Sequence, residues 1–199
     1  MVKIKVCGLT QKKNVLNVAK TGVDALGFIL ADSPRQVTLK KAKKLTADLA
    51  PFISRVGVVV NPSQKKLQQI IKSNIFDYIQ FHGQKNISFI NKSPLKNIKA
   101  ISISSPKDLR QINDYQQIDF FLFDNKTKNQ EGGTGKKFDW EYLNDLNIKV
   151  PFILAGGLGS HNILNALKNV KPNAVDLNSQ IEKEPGLKDI SLLKETITK

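Results

Sequence analysis

Two side chains of this sequence are suited to acid and base chemistry. Cys7 ends a short apolar run near the N-terminus, and Asp124 directly follows Phe120-Phe121-Leu122-Phe123. A thiolate can take a proton from carbon, and a carboxylic acid with a raised pKa can give one to a leaving oxygen. Each residue also has a structural alternative, since a free cysteine often packs as a small hydrophobe and an aspartate often opens a turn.

Further polar groups follow other apolar runs. Arg35, in Ser33-Pro34-Arg35, can clamp a carboxylate through two parallel hydrogen bonds, with an ordinary surface arginine as the alternative. His82 can line the same site or be satisfied within the structure. Gly156-Gly157 and Asn178-Ser179 end two neighbouring runs, where glycine turns and helix N-termini bind phosphate or simply make tight turns.

A glycine-rich segment, Gly132-Gly133-Thr134-Gly135-Lys136-Lys137, lies in the long connection after Phe123. It does not fit a nucleotide P-loop, because Gln130 stands where the first glycine belongs and Lys137 where a serine or threonine should be. We expect Gly132 and Gly133 to belong to a lid over a substrate, with a solvated loop as the alternative.

Eight apolar runs alternate with lysine-rich stretches of helical periodicity, which is typical of repeated βα units. The runs are Ile4–Val6, Ala25–Leu30, Arg55–Val60, Tyr78–Phe81, Ile98–Ile103, Phe120–Phe123, Phe152–Leu154 and Ala174–Leu177. The predicted helices are Asn14–Lys20, Leu39–Leu49, Gln64–Lys72, Ile87–Asn91, Lys107–Tyr115, Trp140–Leu146, His161–Val170 and Ile190–Ile197. We therefore predict an α/β fold, a single compact (β/α)₈ TIM barrel of eight parallel strands over residues 1–199, with the site at the strands' carboxyl ends.

Composition narrows the function classes. One cysteine and two histidines exclude a disulfide scaffold and a cysteine-rich zinc site. No apolar run approaches the roughly 20 residues of a membrane helix, so we expect a cytoplasmic protein without a membrane partner. The net charge of +14 suggests anionic ligands, yet only three of the 31 basic residues are arginines, and we expect no nucleic acid partner.

These residues, in this order, resemble the phosphoribosylanthranilate isomerase family of tryptophan biosynthesis. The motifs that carry the resemblance are Lys5-Val6-Cys7-Gly8-Leu9-Thr10, Gly27-Phe28, Ser33-Pro34-Arg35, Val56-Gly57-Val58, Gln80-Phe81-His82-Gly83, Phe123-Asp124, Gly132-Gly133-Thr134-Gly135, Phe138-Asp139-Trp140, Ala155-Gly156-Gly157-Leu158, Val175-Asp176-Leu177-Asn178-Ser179, Pro185-Gly186 and Lys188-Asp189. One departure is Gln180, where the family commonly has glycine; a position that needs positive φ would be strained by glutamine.

The resemblance implies a cofactor-free and metal-free Amadori rearrangement of N-(5-phosphoribosyl)anthranilate. Asp124 is then the general acid and Cys7 the general base, Arg35 holds the anthranilate carboxylate, and Asp176 helps to position the substrate. The loops at Gly156-Gly157 and Asn178-Ser179 hold the phosphate. We expect a monomer or a homodimer. Two alternatives remain: a barrel isomerase for another aminated sugar phosphate, and a non-catalytic basic protein that binds anions or nucleic acid.

Overall fold

The chain forms a closed barrel of eight parallel strands that neighbour one another in sequence order. A computed structural model describes residues 2–115, 117–125, 143 and 148–199. The strands are β1 (Lys3–Val6), β2 (Ala25–Ile29), β3 (Ser54–Val60), β4 (Tyr78–His82), β5 (Lys96–Ile103), β6 (Phe120–Asn125), β7 (Phe152–Leu154) and β8 (Ala174–Leu177). The prediction of a (β/α)₈ barrel is confirmed.

Helices cover the outside of the barrel. The α-helices are α1 (Lys12–Ala19), α2 (Leu39–Thr46), α3 (Gln64–Lys72), α4 (Ile87–Ile90), α5 (Ile163–Val170) and α6 (Ile190–Ile197). Residues Pro106–Tyr115 and Ser179–Ile181 form 3₁₀-helices, and β9 (Glu182–Glu184) and β10 (Leu187–Lys188) form an antiparallel ribbon. None of the helices in the described ranges is long and apolar enough to cross a membrane. The helix predicted at Trp140–Leu146 lies outside the described residues, apart from Leu143.

Several helices begin or end one to three residues from their predicted positions, and two of the differences have a physical cause. The prediction for α2 extended to Leu49, but α2 ends at Thr46, whose hydroxyl donates to the carbonyl of Ala42 at 3.0 Å. Such side-chain bonds compete with the helical ladder. The stretch Lys107–Tyr115 is a 3₁₀-helix rather than an α-helix, and its first turn is closed by Asp108, which accepts from the backbone of Ser105 at 2.8 Å.

Alternation along the strands divides the core into two layers. The layer inside the barrel consists of Cys7, Val56, Val58, Ile98, Ala100, Leu122, Ile153 and Ala155. The larger layer lies between strands and helices and includes the fully buried Phe28, Phe81, Phe121 and Phe123. Strands that are covered on both faces in this way appear in the sequence as continuous apolar runs. Inward-pointing residues at the carboxyl ends are therefore the ones that can reach a site.

The opposite end of the barrel carries a repeated contact, which we call the strand-pair clamp. The residue just before each even-numbered strand accepts a hydrogen bond from a backbone N–H of the preceding odd-numbered strand. The four clamps are Asp24 with Ile4 at 2.8 Å, Asp77 with Arg55 at 2.8 Å, Asp119 with Asn97 at 2.9 Å and Asn173 with Phe152 at 2.9 Å. Each clamp ties two neighbouring strands together where the ladder begins.

Replacing Asp77 by alanine is expected to lower the free energy of unfolding by about 1–2 kcal/mol, because the N–H of Arg55 loses its acceptor. The ion pair with the Arg55 side chain is over one-third exposed and adds little. Asp77→Asn is the matched control, since an amide oxygen can still accept, as Asn173 does. Urea denaturation of the three proteins measures the difference. Equal losses in the two variants would contradict the clamp.

Candidate active site

The carboxyl ends of the barrel strands surround a cavity of about 290 Å³. Barrels of this class place their active sites at this end. Eight residues predicted for the site line the cavity: Cys7, His82, Asp124, Gly156, Gly157, Asp176, Asn178 and Ser179. Arg35 is not among its lining residues. Gly132 and Gly133, with the predicted lid, lie outside the described residues.

Cys7 is buried at the end of β1, with 5% of its surface exposed. Gly27 on β2 leaves room for the thiol, because a Cβ there would stand 2.7 Å from Sγ. Burial raises the pKa of the Cys7 thiol and is the largest influence on it. Of the nearby charges, Lys5 lowers this pKa, Asp176 raises it and Lys188 lowers it, in decreasing order of size. The net pKa is above the usual thiol value, so most molecules keep the proton on Cys7 at neutral pH.

Asp124 lies on β6 and its side chain is half-buried at the cavity. Burial raises its pKa to about 6; the negative charge of Asp176 adds to the rise, and Lys5 opposes it. A carboxylic acid of this strength holds a proton in about a tenth of the molecules at pH 7, far more than an ordinary aspartate does. The arrangement is therefore suited to proton donation.

Lys5 and Asp176 form an ion pair inside the barrel, below the cavity mouth. Nζ of Lys5 lies 2.6 Å from Oδ2 of Asp176, and their side chains are 3% and 7% exposed. Burial lowers the pKa of Lys5, but the charges of Asp176 and Cys7 outweigh it, and the net pKa is raised. Lys5 therefore remains a cation at neutral pH. Lys5 stands two residues before Cys7 and points to the same face, so its positive charge lies below the thiol inside the barrel.

Arg35 lies beside the cavity and is held by Glu182. Nε and Nη2 of Arg35 donate to the Glu182 carboxylate at 2.9 and 2.6 Å. The carboxylate raises the pKa of Arg35 further. Gly8 permits this approach, because at its φ of +79° a Cβ would stand 2.7 Å from Cδ of Arg35. Glu182 occupies one edge of the guanidinium, and the edge formed by Nη1 and the second Nη2 hydrogen has no partner in the described ranges.

Lys188 completes this polar cluster at the side of the cavity. Its ammonium group is fully buried and donates to Glu182 at 2.7 Å and to Oδ1 of Asn178 at 2.6 Å. Burial raises the pKa of Glu182, but the hydrogen bonds from Arg35 and Lys188 outweigh it and the net pKa is lowered. Glu182 is therefore an anion shared by two cations.

His82 at the end of β4 is paired with Gln80 on the same strand, with 2.7 Å between Nε2 of each. Burial lowers the pKa of His82 to about 4, and the charges of Lys5 and Lys99 act in the same direction. His82 is therefore neutral at physiological pH. It can donate or accept a hydrogen bond, but it does not supply a positive charge for an anionic ligand.

Two buried oxygens belong to side chains that line the cavity. Oε1 of Gln80 and Oδ1 of Asp176 accept no hydrogen bond from the residues that the structure describes. A buried acceptor without a donor costs free energy, which a ligand hydroxyl or amine would recover. Over the same residues, no group of three histidine, cysteine, aspartate or glutamate side chains could hold a metal ion.

The predicted phosphate loops follow two neighbouring strands, β7 and β8. Gly156 and Gly157 have φ of +94° and +66°, which exposes backbone in a turn that other residues rarely adopt. Gln180 lies in the 3₁₀-helix Ser179–Ile181 and is not among the positive-φ residues, so the strain considered for it does not occur. Its Cβ instead packs against Gly159, where an added Cβ would stand 2.9 Å away.

Sequence reasoning assigned no role to Lys5, Gln80, Glu182 or Lys188. Lys5 and Gln80 had a usable signal, because each stands two residues before a predicted site residue on the same strand and so shares its face. Glu182 and Lys188 had no such signal. The β9–β10 ribbon brings Glu182 to Arg35 and Lys188 to Glu182, and strand periodicity does not encode such tertiary contacts.

Comparison with known proteins places the chain in a family. Residues 4–199 match the model of the N-(5'-phosphoribosyl)anthranilate (PRA) isomerase family. A protein of Petrotoga mobilis named N-(5'-phosphoribosyl)anthranilate isomerase is 52% identical over 198 residues, which are 99% of this chain and 96% of that protein.

Solved structures agree with this match. The phosphoribosyl anthranilate isomerase of Thermotoga maritima is 33% identical, with a TM-score of 0.91 over 100% of this chain and 98% of the other. A phosphoribosyl anthranilate isomerase in complex with reduced 1-(o-carboxyphenylamino)-1-deoxyribulose 5-phosphate is 30% identical, with a TM-score of 0.89 over 100% and 97% of the two chains. The chain belongs to the N-(5'-phosphoribosyl)anthranilate isomerase family.

Proposed function

We propose that this chain catalyses the cofactor-free Amadori rearrangement of N-(5-phosphoribosyl)anthranilate to 1-(2-carboxyphenylamino)-1-deoxyribulose 5-phosphate in tryptophan biosynthesis. One observation carries the assignment of roles: a single cavity holds an aspartate with a pKa of about 6 and a cysteine thiol. The reaction needs one group that gives a proton to oxygen and another that takes a proton from carbon.

Asp124 acts first, as the general acid. Its carboxylic acid protonates the ribose ring oxygen while the bond from that oxygen to C1 breaks. The lone pair of the anthranilate nitrogen forms the C1–N double bond, which gives an open-chain Schiff base. Burial and the neighbouring charge of Asp176 support this role, because both keep a proton on Asp124.

Cys7 acts second, as the general base. Its thiolate removes the proton from C2; the electrons of that bond form the C1–C2 double bond, and the C–N pair returns to nitrogen. The iminium nitrogen is an electron sink, so a thiolate of modest basicity suffices. The resulting enolamine tautomerises: C1 gains a proton, the hydroxyl at C2 loses one, and the C1–C2 double bond is replaced by the carbonyl of the ketone.

Substrate binding is assigned to the rim. The guanidinium edge of Arg35 that Glu182 does not use holds the anthranilate carboxylate, and Glu182 fixes the direction in which that edge points. Gly156-Gly157 and Asn178-Ser179 receive the phosphate, while Asp176 and His82 contact the sugar. Gly132 and Gly133 are assigned to a lid. The monomeric or homodimeric state, the cytoplasmic location and the lack of a nucleic acid partner stay predictions.

Removing either proton-transfer group is expected to abolish turnover. Cys7→Ala and Asp124→Asn should each lower kcat about 10²–10⁴-fold, because each eliminates one acid–base step. Turnover of freshly made N-(5-phosphoribosyl)anthranilate measures the loss, and circular dichroism confirms that both variants are folded. Near-normal activity in either folded variant would remove that residue from the mechanism.

The pH profile of kcat/KM is expected to be bell-shaped with a broad plateau. Activity needs protonated Asp124 and ionised Cys7, and the acid has the lower pKa, about 6, while the thiol pKa is raised. Below pH 6 the thiolate becomes scarcer, and above the thiol pKa the acid becomes scarcer. Between the two pKa values the changes cancel, because each rise of one pH unit lowers the protonated fraction of Asp124 tenfold and raises the ionised fraction of Cys7 tenfold. A profile with neither limb between about pH 5 and 11 would contradict the pair.

Substitution of Arg35 is expected to act on binding and to identify the substrate. Arg35→Ala should raise KM for the anthranilate substrate about tenfold to a hundredfold, as loss of a charge-assisted pair does. An analogue without the carboxylate should be affected much less. Arg35→Lys is the control, since it keeps the charge but not the planar fork. Equal effects on the two substrates would favour an isomerase for another aminated sugar phosphate.

A further inference from the structure

We propose that Lys5, anchored by Asp176 inside the barrel, is a positioning residue whose positive charge stabilises the thiolate of Cys7. The inference rests on the proposed function for the importance of that thiolate. It concerns a residue with no part in the proton transfers themselves. Lys5 has a fixed partner, a fixed place on β1 and nearly no access to solvent.

The strand geometry directs Lys5 toward Cys7. Side chains two residues apart on a strand point to the same face, and their Cα atoms are about 7 Å apart. Val6, between them, packs in the outer layer, whereas Cys7 belongs to the layer inside the barrel. The flexible stem of Lys5 allows its ammonium group to approach the thiol from below. Asp176 on the neighbouring β8 fixes the ammonium group, with 2.6 Å between Nζ of Lys5 and Oδ2 of Asp176.

Other charged groups around Cys7 are weaker candidates. Six titratable side chains face it from the surrounding elements: Lys5, Arg35, His82, Asp124, Asp176 and Lys188. Arg35 and Lys188 are held by Glu182 in the connection after β2 and on β10, whereas Lys5 lies on β1 two residues before Cys7. His82 is neutral at physiological pH, since its pKa is about 4. Of the charges that act on Cys7, that of Lys5 is the largest.

Burial explains why the thiolate needs this support. Cys7 is 5% exposed, and transfer of an anion out of water is costly without a nearby cation. The neutral thiol does not need Lys5, because it packs as a small hydrophobe. Lys5 therefore acts selectively on the ionised form, the form that the proposed base step uses.

The test uses alkylation of Cys7 by iodoacetamide as a function of pH, without substrate. Cys7 is the sole cysteine of the chain and lines the cavity, so the reaction reports one site. The midpoint of the rate profile gives the pKa of the thiol. It is a better readout than the rate at one pH, because thiolate nucleophilicity itself falls as the pKa falls.

Opposite shifts are expected from the two halves of the ion pair. Lys5→Met should raise the midpoint by about one pH unit or more, because a cation has been removed. Asp176→Asn should lower the midpoint, because it removes an anion while Lys5 keeps its charge. A merely structural role predicts shifts in the same direction, since both substitutions break the same contact. An unchanged or lowered midpoint in folded Lys5→Met would overturn the proposal.

Three further variants keep the result interpretable. The double variant Lys5→Met/Asp176→Asn avoids an unpaired buried carboxylate if Lys5→Met does not fold, and its midpoint should still exceed that of the wild type. Lys5→Arg retains the charge and should return the midpoint toward the wild-type value. Lys99→Met controls for the loss of a buried lysine side chain as such: Lys99 faces the outer layer and donates to the carbonyl of Gly83, and burial lowers its pKa to about 8, so it carries little charge where Cys7 titrates and the midpoint should not move.

Alkylation separates this proposal from the proposed function. If the folded protein failed to convert N-(5-phosphoribosyl)anthranilate, the order of the alkylation midpoints would still test Lys5. If turnover were normal and the midpoints of Lys5→Met and the double variant equalled that of the wild type, the base assignment would stand and the role of Lys5 would be wrong.

Discussion

The ion pair between Lys5 and Asp176 joins the first strand of the barrel to the last, and its two charges modify the pKa values of Cys7 and Asp124 in the cavity above it. The two residues are register partners in the β1–β8 ladder, where the barrel closes. Removing two charges from water costs several kcal/mol, and their attraction often only balances this cost. Stability alone is therefore a poor reason for placing the pair here. Its effect on the neighbouring acid and thiol is a better one.

The orientation of the ion pair matters because burial affects Asp124 and Cys7 in the same direction. It raises both pKa values, which leaves more of Asp124 protonated but less of Cys7 ionised, so it favours only the first of the two proposed roles. After burial, Asp176 has the largest influence on Asp124, whereas Lys5 has the largest influence on Cys7. The carboxylate end thus raises the pKa of the acid, and the ammonium end lowers that of the thiol. Each pKa unit by which the two groups approach one another raises tenfold the fraction of molecules in which Asp124 is protonated and Cys7 is ionised.

The fold was accessible from the sequence because strands buried on both faces leave a local signal. All eight strands lie within two residues of the predicted apolar runs, and the ends of those runs led to Cys7 and Asp124. The 3₁₀ form of Pro106–Tyr115 was not accessible, since periodicity does not separate it from an α-helix. Nor was the pairing of Arg35 with Glu182, which are 147 residues apart. Local patterns locate the site, but the contacts that tune it are tertiary.

The cluster of Arg35, Glu182 and Lys188 shows why the basic composition of the chain explains little about recognition. Most of the 31 basic residues lie on solvated surfaces, where their attraction for an anion is screened and has no direction. Glu182 instead orients the guanidinium of Arg35 before any ligand arrives, and Lys188 keeps Glu182 in place through a buried contact of 2.7 Å. A guanidinium fixed in this way loses little conformational entropy on binding. Selectivity for a carboxylate in the substrate would then come from two shared charges at the rim, and the surface lysines would contribute only to the rate of encounter.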